Sequence, residues 1–73
     1  MSWNYRVVRT SDGLQIFDVY YNDQGKPIAA NATPSTVYGE TVKELQEKLA
    51  LIAKALTLAI LEESEIGSRG STE

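Results

Sequence analysis

Two runs rich in aromatic and β-branched residues, 3–9 (WNYRVVR) and 15–21 (QIFDVYY), flank the tripeptide Ser11-Asp12-Gly13. Such residues fit a pleated surface, and a short polar turn ending in glycine joins antiparallel neighbours. A hairpin is therefore the organising element. Its register decides what can pack on it, because a slip of one residue exchanges the two faces of a strand. A three-residue loop, with a type I turn closed by Gly13 at positive φ, sets Val7 opposite Phe17, Tyr5 opposite Val19 and Trp3 opposite Tyr21. All six side chains then share one face, with Arg6 opposite Asp18 and Val8 opposite Ile16 on the other. A two-residue loop at Asp12-Gly13 would oppose Val7 to Asp18 and divide the apolar set between faces, so the three-residue loop is expected.

A second turn, Asn22-Asp23-Gln24-Gly25, leads into a third strand over 26–32. Pairing Tyr21 with Lys26 places Val19 beside Ile28 and Phe17 beside Ala30. Pro27 lacks an amide hydrogen, which confines this strand to a sheet edge and gives the order 1-2-3. Thr41 and Glu44 then have capping-box spacing, and Val42, Leu45, Leu49, Ile52 and Leu56 recur at steps of three and four. A helix begins there, with that stripe expected on the Trp3, Tyr5, Phe17 and Val19 face. No glycine or proline ends it before Gly67, and residues 58–61 read equally well as helix or extended chain. The expected fold is α+β: a three-stranded antiparallel meander packed on one amphipathic helix, βββα, over residues 1–61. Residues 62–73, acidic and then rich in Gly, Ser and Thr, read as a disordered tail.

At 73 residues the chain has room for one domain, and a fold this small often leans on disulfides, a metal or a partner chain. It contains no cysteine and no histidine. Thiol chemistry, zinc-finger ligand sets and imidazole bases are thereby excluded, and no cofactor or metal is expected. Ten acidic against seven basic side chains, net charge -3, argue against a phosphate-binding surface, so no nucleic-acid partner is expected. Without a charged leader and apolar run at its start, or an unbroken apolar span, the chain is expected to be cytoplasmic, with no membrane partner.

Each candidate reactive cluster has a plainer explanation. Trp3, Tyr5, Phe17, Tyr20 and Tyr21 could stack bases, but four of them belong to the expected core face. Asp12 and Asp23 sit at turns and Asp18 opposite Arg6, which leaves no paired acid and base. Gly39-Glu40-Thr41 at a helix start would repel phosphate through Glu40. No catalytic residue is assigned, and the chain is not expected to be an enzyme.

Trp3-Asn4-Tyr5-Arg6-Val7-Val8, the segment Val19-Tyr20-Tyr21 followed by Gly25-Lys26-Pro27, and Gly39-Glu40-Thr41 with Glu44-Leu45 resemble a group of small bacterial proteins of unknown function. The resemblance spans residues 3–60 and implies the fold without implying an activity. The helix entry alone is similar to the Gly-x-Thr entry of antitoxin-type ββα domains such as the HicB family.

From Leu49 to Leu61 only Lys54 and Thr57 are polar, so Leu51, Ala55 and Leu58 place apolar surface outside the stripe that the sheet covers. Together with Tyr20 these form the candidate interface. The expectation is a non-catalytic protein-binding or regulatory module that docks on a partner protein and forms a homodimer through the second half of its helix. The alternative is a small acidic inhibitor of the mobile-element or antitoxin type, with a patch built from Glu40, Glu44, Glu47, Glu62, Glu63 and Glu65.

Overall fold

The computed structural model describes residues 2–67. The fold is α+β: β1 (Ser2–Thr10), β2 (Gly13–Tyr21), β3 (Pro27–Ala30), α1 (Val42–Ala55) and β4 (Leu61–Glu62). The three antiparallel strands are adjacent in the expected sequence, with Pro27 beginning the edge strand β3. The sheet is not a three-stranded meander, however. β4 adds a fourth strand parallel to β1, giving the order β3-β2-β1-β4 and making both β1 and β2 internal.

The hairpin register differs by one residue from the expected one. Tyr5 stands opposite Asp18, Arg6 opposite Phe17, Val7 opposite Ile16 and Thr10 opposite Gly13, so only Ser11 and Asp12 lie outside the ladder. Thr10 closes this turn by accepting from the Asp12 amide at Oγ1 (3.1 Å). Gly13 alone in the hairpin takes positive φ, at 113°. The six expected core residues therefore split. Tyr5 and Val7 cluster under the helix with Ala55, Ile16 and Ile52, whereas Phe17 and Val19 cluster with Val8, Ala30 and Ile66 on the opposite face, where Tyr21 and Leu61 join them. The β2–β3 register is also shifted, with Val19 opposite Ala30 and Tyr21 opposite Pro27 across an irregularity. Two residues of slip at Val19 preserve parity, and Ala30 remains on the Val19 face. Asn22 organises the second turn: its Oδ1 accepts from the amides of Gln24 and Lys26, both at 2.9 Å.

The helix starts as its capping residues dictate. Thr41 Oγ1 accepts from the Glu44 amide (3.1 Å), while the Glu44 carboxylate accepts from the amide of Glu40 (2.9 Å), one residue before the N-cap. Its inward line is Leu45, Lys48, Ile52 and Ala55, with only Ala55 fully buried. Val42, Leu49 and Leu56, expected against the sheet, are 71, 50 and 70% exposed. The helix is rotated so that Ala55 approaches Tyr5 and Val7, which leaves three of the five residues of the predicted stripe in solvent. No helix among the described residues is long and apolar enough to cross a membrane.

After Ala55 the chain tightens through bonds from the amides of Leu56, Thr57 and Leu58 to the carbonyls of Ala53, Lys54 and Ala55. It then runs as a strap over the second face of the sheet. Leu61 and Glu62 pair with Val8 and Arg9, a single 3-10 turn follows over Glu63–Glu65, and Ile66 is buried against Val8, Phe17, Val19 and Ala30. Gly67 lies so close to β3 that a Cβ there would be 2.7 Å from the Ile28 carbonyl oxygen. Arg6 faces this side rather than Asp18, donating to Tyr21 Oη (3.0 Å) and to the carbonyl of Ala59 (2.6 Å). Residues 58–61 are thus outside the helix, and residues 62–66 belong to the fold instead of to a tail. The rest of the expected tail, residues 68–73, lies outside the described residues.

Candidate docking groove

The first residues of β1 place Trp3 and Tyr5 on the helix side of the sheet, because alternate strand residues share a face. Their rings meet edge to face, with centroids 5.2 Å apart and planes at 84°. Tyr20 stands opposite Trp3 in the ladder and touches it from β2, centroids 6.5 Å apart. Tyr20 therefore shares the helix-side face with Trp3 and Tyr5 and is half-buried, while its hydroxyl donates to Asn31 Oδ1 (3.4 Å).

The end of the helix lies alongside this aromatic corner. Leu51, Lys54, Ala55 and Leu58 recur at i, i+3, i+4 and i+7, the spacing of one helix side. Between them and Trp3, Asn4 and Tyr5 is a groove of about 420 Å³. Its lining is apolar apart from Lys54 and Asn4. Trp3, Leu51 and Leu58 are 50, 56 and 38% exposed.

Two of the four residues expected at an interface, Leu51 and Leu58, are brought together here. Ala55 also lines the groove but is 1% exposed and packs against Tyr5 and Val7, so it belongs to the core and offers a partner little surface. Tyr20 supports Trp3 from the neighbouring strand without lining the groove. Sequence reasoning missed Trp3, which the wrong register assigned to the core, and Lys54, which looked like an interruption in an apolar run. The i+3 step from Leu51 to Lys54 was the available signal. Among the described residues the Lys54 ammonium has neither a hydrogen-bond nor an ion-pair partner. A group at the groove can therefore satisfy apolar contacts and one negative charge together.

The other polar clusters serve the fold. Ser35 Oγ donates to the Asp18 carboxylate, and the Ser35 amide donates to the Ile16 carbonyl (2.8 Å), so both bonds fasten the loop after β3 to β2. Lys48 reaches over the Tyr5 ring, 6.0 Å from its centroid. Three of the six carboxylates of the expected acidic patch have local roles: Glu44 caps the helix, Glu65 accepts from the Glu62 amide (3.0 Å), and Glu62 pairs with Arg9 (3.0 Å). Among the described residues no group of three or more His, Cys, Asp or Glu is placed to hold a metal ion. Comparison with protein families, with curated proteins and with solved structures finds no match to this chain.

Proposed function

We propose that this chain is a non-catalytic protein-binding module that docks on a partner protein through the groove between Trp3 and the end of its helix. The observation that carries this reading is the exposed apolar corner of Trp3, Leu51 and Leu58 around the unpaired ammonium of Lys54. Aromatic side chains supply large contact area at low conformational cost, and partly open apolar hollows receive anchoring side chains from partners. The chemistry selects a segment with a leucine-like or aromatic anchor next to a carboxylate. The anchor would enter between Trp3, Leu51 and Leu58 while its acidic neighbour meets Lys54.

Capture from a lysate of the native host, with wild-type protein beside Leu51→Glu, tests this. Leu51 is 56% exposed, so the substitution alters the groove without removing core. A protein retained by the wild type and lost by Leu51→Glu is expected. When purified, that protein should shift the fluorescence of Trp3, the chain's one tryptophan. Identical captured proteins with both baits, or a captured protein that leaves Trp3 emission unchanged, would remove the groove from the reading.

A further inference from the structure

We infer that the chain also pairs with a second copy of itself, through an antiparallel two-fold helix contact centred on Leu49. This surface lies on the other side of the helix from the groove. At about 100° per residue, Leu49 is about 160° around the helix from Leu51. Val42, Leu49 and Leu56 are seven residues apart and stay within about 40° of one another, forming a straight stripe about 21 Å long. Leu56, the C-cap, keeps right-handed helical angles (φ -71°, ψ -14°) and so continues the stripe.

Three properties of the stripe specify a copy of the same chain. It is symmetric: Leu49 is the midpoint of Val42 and Leu56, so a perpendicular two-fold axis sets Leu49 on the partner's Leu49 and Val42 on the partner's Leu56. An isologous contact needs this self-complementarity. Its immediate flanks are uncharged. The exposed residues within about 60° of Leu49 on the side away from the sheet are Gln46 and Ala53, whereas Lys48, about 100° away on the sheet side, is turned over the Tyr5 ring, and Lys43, Glu44, Glu47 and Lys54 lie about 120° or more away. The small side chain of Ala53 beside Leu49 allows the axes to approach to about 8–10 Å, and antiparallel packing sets the helix dipoles in opposition.

A stable interface needs about 500 Å² from each chain, a tenth of the 5096 Å² accessible here. Val37 and Tyr38, 52 and 65% exposed, precede Val42 by five and four residues in the chain. With Val42, Leu49 and Leu56 they make five large apolar side chains, each at least half exposed.

The absence of native cysteine makes the geometry directly readable. Under mild oxidation, Leu49→Cys should cross-link to itself. Val42→Cys and Leu56→Cys should each fail alone but cross-link when mixed. The wild type should sediment as a dimer at about 100 μM, and Leu49→Glu as a monomer with an unchanged circular dichroism spectrum, since Leu49 is not core. Leu51→Glu should remain dimeric, which separates failure of the groove from failure of the pairing. A monomeric wild type, a Val42→Cys self-cross-link or a dimeric Leu49→Glu would each overturn the inference.

Discussion

Ile66→Ala is the sharpest test of how this fold closes. Ile66 is 7% exposed and caps the cluster of Val8, Phe17, Val19 and Ala30 from a segment whose composition resembles a tail. Truncation removes three carbons, about 2.4 kcal/mol at about 0.8 kcal/mol each. A residual cavity adds to this and inward movement of the strap subtracts, which places the cost at about 2.5 to 3.5 kcal/mol, inside the range for Ile→Ala core changes. Urea slopes for small domains begin at about 1 kcal/mol per molar, so the midpoint should fall by about 2.5 to 3.5 M with the slope unchanged. Leu49→Ala is the control: Leu49 is half exposed, so at low micromolar concentration it should cost under about 1 kcal/mol despite its place in the apolar periodicity. An Ile66→Ala midpoint within about 0.5 M of the wild type would mean that the strap is not part of the cooperative unit. A larger effect at Leu49 than at Ile66 would restore the helix orientation expected from the sequence and overturn the one described above.

Gly67→Ala should lower the stability by about 1 kcal/mol, because a Cβ 2.7 Å from the Ile28 carbonyl oxygen forces the strap away from β3; an unchanged midpoint would refute that close approach. Arg6→Met should cost about 1 to 3 kcal/mol by removing the bonds to Tyr21 Oη and Ala59, and amide exchange at Leu61 and Glu62 should quicken more than exchange within β2; uniform quickening would show that Arg6 does not pin the strap. Thr41→Ala should cost about 1 kcal/mol through the lost helix cap, and Thr41→Asn should restore most of it. Arg9→Ala should change stability by under about 1 kcal/mol, since both side chains of the Arg9–Glu62 pair are about half exposed; a larger loss would mean that this pair holds β4 on β1.

The elements legible in the sequence were those specified by short-range chemistry. The Thr41 cap, the helix start, the edge position of Pro27 and the two hairpin connections all follow from one to four neighbouring residues. Register was not legible because it was argued from an assumption about the far side of the sheet. With one face covered, the best pairing gathers Trp3, Tyr5, Val7, Phe17, Val19 and Tyr21 together. With both faces covered, that pressure disappears. The doublets Val7-Val8, Ile16-Phe17 and Tyr20-Tyr21 carried the missing information: adjacent apolar residues in a strand point to opposite faces, and near-continuous apolar strands belong to sheets covered on both sides.

The same oversight hid the strap and the orientation of the helix. Glu62, Glu63, Ser64 and Glu65 give the C-terminal segment a polar, tail-like composition, yet its contribution is carried by Leu61 and Ile66, whose partners are more than 30 residues away in sequence. Once these residues close the second face, the helix need cover only Tyr5, Val7 and Ile16 on the first. The small side chain of Ala55 meets them closely, and the helix turns its Val42, Leu49 and Leu56 flank outward. The apolar periodicity was therefore real but served two surfaces at once. Leu45 and Ile52 face the sheet, while Val42, Leu49 and Leu56, three and four positions away, remain exposed.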